Sequence, residues 1–148
     1  MKKLILVAMM MALMVGFVGC NRRAAWNKTS EDDPRIVSAR AKAKETFPEF
    51  VKAFKNKQAI IYSVTVKYPE GDTSENIEMD VLGLTDTEIK GKVSSYPKNL
   101  GNGTEKLLKG SIITVPIDSM IDWYYEDSNG DGTGGYVANA EAKIQRNG

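Results

Sequence analysis

The apolar periodicity of the chain changes at Asn56, and that change limits the folds open to it. Before it, Ile36, Ala43, Phe47, Phe50 and Phe54 recur at spacings of seven, four, three and four, a stripe along one helical face. After it, Ile60, Tyr62, Val64, Val66 and Tyr68 alternate with Ile61, Ser63, Thr65 and Lys67, the two-residue period of a strand with one buried face. Such a chain packs a helical segment on a sheet.

Asp33-Pro34 opens the helical part, since Asp caps well and proline loses nothing at the first helical position. Thr46-Phe47-Pro48-Glu49 has capping-box spacing and an internal proline, which predicts two helices or one sharply kinked helix. A second strand is expected over residues 75–84, with Ile77, Met79 and Val81 opposite Glu78 and Asp80. A third follows over 88–95 through Ile89, Gly91 and Val93. Residues 96–110 read as a long loop holding a short helix over 104–109. Three more strands are expected over 111–115, 119–126 and 136–140, with a glycine-rich turn over 129–135 before the last. The expected class is α+β, an N-terminal helix or kinked helix pair on a curved antiparallel sheet of about five or six strands.

Ahead of this domain stand Lys2, Lys3 and an uncharged run over residues 4–18, closed by Phe17-Val18-Gly19-Cys20. The run is shorter than the roughly 20 residues that cross a bilayer, and it lacks an A-x-A-like cleavage site. It resembles a bacterial lipoprotein signal with its lipobox, which implies cleavage before Cys20 and lipid on that thiol. The expected division is a signal peptide at 1–19, a lipidated tether at 20–33 and one domain at 34–148. Trp26 in the tether suits either the lipid interface or the domain surface. Asn21 is not the aspartate that retains lipoproteins at the inner membrane of many Gram-negative bacteria. That resemblance implies the periplasmic face of the outer membrane.

Without Lys2 and Lys3 the side chains come to 18 basic and 19 acidic, a balance that argues against nucleic acid as partner. The chain has no histidine, and Cys20 is its one cysteine. Histidine-dependent nucleophilic catalysis and ordinary zinc or copper sites are thereby excluded. No glycine-rich phosphate loop precedes a helix, so no cofactor is expected. Carboxylates remain. If the strand is regular back to Asp118, then Asp118, Asp122 and Glu126 share a face, with neighbours about 13 Å apart. That exceeds the roughly 5–9.5 Å of a glycosidase pair, though Glu78 or Asp80 can approach Asp122 across the sheet. Asp122 beside Trp123 otherwise reads as a structural acceptor. Asp122, Trp123, Tyr124 and Glu78 together form a candidate amphipathic binding surface. Asp127, Asn129 and Asp131 follow the first half of a calcium loop, but Ala138 stands where the bidentate glutamate belongs. A polar hairpin turn explains these residues as well.

Several blocks resemble the YegJ-like family, bacterial domains of unknown function. They are 50–54, 62–66, Glu78-Met79, Gly91-Lys92-Val93 with Pro97, Gly110-Ser111-Ile112-Ile113, Ile121-Asp122-Trp123 and Gly135-Tyr136. Asp80 and Ser111 depart from the expected tryptophan and aspartate. The resemblance implies an α+β domain and transfers no activity. Three functions stay open: a membrane-anchored, non-enzymatic module binding an envelope protein or ligand, a carboxylate-based envelope hydrolase, and an inhibitor or immunity-type lipoprotein.

Overall fold

The computed structural model describes residues 29–70, 73–95, 97 and 107–147. The expected signal peptide with Cys20, most of the tether and most of the 96–110 loop lie outside the described residues. The domain is α+β. Helix α1 (Pro34–Lys55) precedes strands β1 (Ile61–Glu70), β2 (Thr73–Leu84), β3 (Glu88–Val93) and β4 (Ile112–Pro116). A 3-10 turn (Ile117–Ser119) then leads to β5 (Met120–Glu126), β6 (Gly132–Gly134) and helix α2 (Tyr136–Asn147). The six strands form one antiparallel sheet in the order β4-β3-β2-β1-β5-β6.

The stripe on α1 meets the inward face of the sheet. Ala43, Phe47 and Phe50 pack with Val64 and Val66 of β1, Ile77 and Met79 of β2, Ile89 and Val93 of β3, Val115 of β4 and Trp123 of β5. Each of these strand residues alternates with an outward neighbour, so inward packing assigns Ser63, Thr65, Glu78, Asp80, Lys90, Lys92, Thr114, Asp122 and Tyr124 to the other face. Ile60 lies just outside β1 and is 68% exposed, so the buried alternation begins at Tyr62 rather than Ile60.

One helix is observed in place of two, with Pro48 inside it. Thr46 caps nothing. Its hydroxyl donates to the Lys42 carbonyl at 2.8 Å, one turn back, and Pro48 itself faces solvent. The true cap is Asp33, which accepts from Arg35 N at 2.9 Å and binds the Arg35 guanidinium at 2.7 Å. The Arg35 side chain, with its backbone N–H, holds the Asp33 carboxyl down at about 2. A carboxyl lowered on folding stabilises fully above its ordinary value of 3.8, and that contribution is lost as pH falls toward 2. The stability difference between wild type and Asp33→Asn should therefore be full at pH 5 and shrink toward pH 2 in thermal unfolding.

The end of the chain differs from expectation. Residues 136–140 begin helix α2 and are not a strand; the sixth strand is Gly132–Gly134, inside the expected turn. Gly134 (φ 93°) and Gly135 (φ 67°) end the strand with two left-handed residues, and the following Ala-, Glu-, Lys- and Gln-rich run favours a helix. Gly134 also lies so close to Trp123 that a methyl group there would collide with its carbonyl oxygen and ring. Gly134→Ala should cost about 2 kcal/mol from backbone strain and crowding together, read as a lower urea midpoint at unchanged slope.

Candidate functional site

On the outward face of the sheet, register places Glu78 of β2, Thr65 of β1 and Asp122 of β5 in one row, with Asp80, Ser63 and Tyr124 in the next. Adjacent strands sit about 4.8 Å apart, so Glu78 and Asp122 are separated by about 10 Å at the backbone. The first turn of α2 rises beside these rows. Between sheet and helix lies an open recess of about 290 Å³ that touches Ser63, Thr65, Glu78, Asp122, Trp123, Tyr124 and, from α2, Asn139. All four sheet residues expected to form a binding surface thus meet around one depression. Ser63, Thr65 and Asn139 were missed. The first two read only as the polar side of a strand, and Asn139 falls in the expected 136–140 strand, which is helix α2 instead.

The four expected residues play different parts. Asp122 is 4% exposed and both of its oxygens are occupied. Oδ1 accepts from Trp123 N and Tyr136 N, each at 3.0 Å, while Oδ2 accepts from Val137 N at 2.9 Å and Ala138 N at 3.2 Å. A strand carboxylate thereby caps a helix that begins fourteen residues later, meeting three of its otherwise unpaired amides. Burial pushes the Asp122 carboxyl up, and these backbone N–H groups pull against it. With its lone pairs so engaged, Asp122 holds structure and is no free base.

Trp123 is 1% exposed and donates through Nε1 to the Ala43 carbonyl at 2.8 Å. Its ring stacks on Tyr125 (5.9 Å between centroids) and meets Phe50 (5.5 Å) and Tyr136 (5.6 Å). Its ring belongs to the core. Tyr124 is half-buried, and its hydroxyl donates to Glu126 Oε2 at 2.8 Å, which raises the tyrosine pKa. Glu78 is exposed, and its backbone is fixed by Ser94 and Ser95: Glu78 N donates to Ser95 Oγ, and its carbonyl accepts from Ser94 N. The recess therefore offers hydroxyls, one exposed carboxylate and an amide around an aromatic edge. That is a set suited to hydrogen bonding a polar ligand or peptide.

The other expected carboxylates do not gather here. Asp118 lies in the 3-10 turn, so it does not share a strand face with Asp122 and Glu126; the turn ends before β5, and register also shifts between Thr65 and Val66. Glu126 is engaged by Tyr124. The 127–132 loop is closed by its own hydrogen bonds. Asp127 Oδ1 accepts from Asn129 N at 2.8 Å and Asp131 N at 3.0 Å, and Asp127 N donates to the Asp131 carbonyl. These bonds close a hairpin turn and lower the Asp127 carboxyl. Among the described residues no three acidic or cysteine side chains gather as a metal site. Glu141, beyond the loop on α2, is partly buried, which raises its carboxyl against the pull of Arg40.

A family model described as an uncharacterized protein conserved in bacteria (DUF2314) matches residues 33–143. No curated protein and no solved structure matches the chain.

Proposed function

The chain belongs to the DUF2314 family of uncharacterized bacterial proteins, and from that premise we propose that it is a cell-envelope lipoprotein whose domain is a non-enzymatic binding module. Lipid on Cys20 anchors it to the membrane, and the recess on the outward face of the sheet takes an envelope protein or ligand. The YegJ-like blocks quoted above make it a YegJ-like member of that family in this reading. One observation carries the binding role. The best-placed carboxylate, Asp122, is spent on capping α2, while Ser63, Thr65, Glu78 and Asn139 line an open depression and have, among the described residues, no side-chain hydrogen bond or ion pair. That arrangement recognises more readily than it activates.

Crosslinking in intact envelopes with the lipidated protein tests the role. A specific partner should be captured by wild type and lost in a Ser63→Ala, Glu78→Gln double variant that melts like wild type. Equal capture by that variant would move the site elsewhere. The anchor is tested separately. Cys20→Ala should accumulate as an unprocessed precursor without acyl label, and normal processing with unchanged membrane partitioning would refute lipidation.

A further inference from the structure

We infer that the exposed face of α1 is the surface the domain lays against an anionic phospholipid bilayer, leaving the recess on the far side of the sheet turned away from the membrane. The inference rests on the anchor proposed above and adds an orientation to it.

Charge is segregated along the chain. Residues 34–57 carry seven basic and two acidic side chains, whereas residues 58–147 carry eight basic and fourteen acidic. A nearly neutral protein is thus positive on its helix and negative over the rest. Arg35, Lys42, Lys44, Lys52, Lys55 and Lys57 are exposed. Arg35 is tied to Asp33, and Lys42 to Glu45 at 3.1 Å. Among the described residues, Lys44, Lys52, Lys55 and Lys57 have no carboxylate partner. Lys52 and Lys55 complement the end of the helix dipole. Lys44 in mid-helix and Lys57 beyond the helix have no such reason to be basic. Lys92, on the outward sheet face, does have a carboxylate nearby in Asp80 at 4.0 Å.

With the proposed anchor in place, the tether keeps the start of α1 near the bilayer. The nine residue steps from Cys20 to Thr29 span at most about 32 Å even when fully extended, and α1 follows at Pro34. A surface held that close to its target binds as an intramolecular event, so weak charge attraction suffices to orient it. The sheet face opposite α1 then points away, which leaves Glu78 and Asn139 open to a partner in solution.

Acylation of Cys20 leaves any introduced cysteine as the one free thiol, so single dyes can be placed on each face. Acylated Ser38→Cys (exposed on α1) and Thr114→Cys (outward face of β4) are reconstituted into vesicles containing an acceptor lipid. On vesicles containing phosphatidylglycerol, energy transfer from position 38 should exceed that from position 114. The difference should vanish on phosphatidylcholine alone, in high salt, and when Lys44, Lys52, Lys55 and Lys57 are all changed to Gln. Equal transfer from the two positions, or a difference that survives the four substitutions, overturns the orientation. Co-flotation with the vesicles reports the anchor separately. Flotation without an orientation difference refutes this inference and leaves the anchor standing, whereas loss of flotation refutes both.

Discussion

Asp122→Ala should destabilise the domain by about 3 kcal/mol, well beyond the loss of an ordinary cap. Four backbone amides lose their acceptor at once, and one of them, Val137 N, belongs to a residue only 5% exposed. Water cannot replace the carboxylate there without opening the contact between α2 and β5. Native-state hydrogen exchange should find the amides of Tyr136, Val137 and Ala138 deprotected first, ahead of β1 and β2. Asp122→Asn keeps one good acceptor and should lie between wild type and alanine. The same variant separates the functional readings. A carboxylate hydrolase using Asp122 would lose turnover and keep its stability, whereas a capping carboxylate must lower the melting temperature. Because burial raises this carboxyl on folding, its own titration favours the native state as pH falls through the raised value. Loss of stability in acid falls instead to carboxyls held low, such as Asp33 and Asp127.

Trp123→Ala should cost about 3–5 kcal/mol, the range for emptying a large aromatic site in a packed core. The indole touches both helices through Phe50 and Tyr136, stacks on Tyr125, and ties β5 to α1 through the Ala43 carbonyl. Trp123→Phe keeps most of the ring contacts and gives up that hydrogen bond together with some volume, so it should cost less than half as much. Urea titration of the three proteins, followed by far-ultraviolet circular dichroism, checks the order. Equal stability of the alanine variant would mean that the helix does not depend on this contact to stay docked.

Much of the domain was legible where neighbouring residues report on one another. Period-three-to-four spacing located α1, and strict alternation located β1, β2 and β3, because each element buries one face along its own length. Legibility failed where distant residues decide. Tyr136-Val137-Ala138 reads locally as a short apolar run, and the Asp122 carboxylate that caps it as a helical start comes from β5, fourteen residues earlier. Thr46-Phe47-Pro48-Glu49 has the spelling of a helix start, yet the surrounding stripe, packed under the sheet, carries one helix through it. The candidate site shows the same limit. Glu78 and Asp122 were each visible, but their row with Thr65 depends on strand register, and Asn139 enters only once α2 exists. The alternation that exposed the strands gave no sign of which polar residues would line a common depression.

The bond from Trp123 to Ala43 spans 80 positions of sequence, and its length has a kinetic meaning. The first helix cannot be roofed until β5 has been made, and β1, at the interior of the sheet, waits for that same late strand to cover its second edge. Closing such distant pairs slows folding relative to a domain assembled from local contacts. During synthesis the leading half of the chain therefore stays short of its native state. The core is completed only once the last third of the chain, which carries β5 and α2, is available to close it.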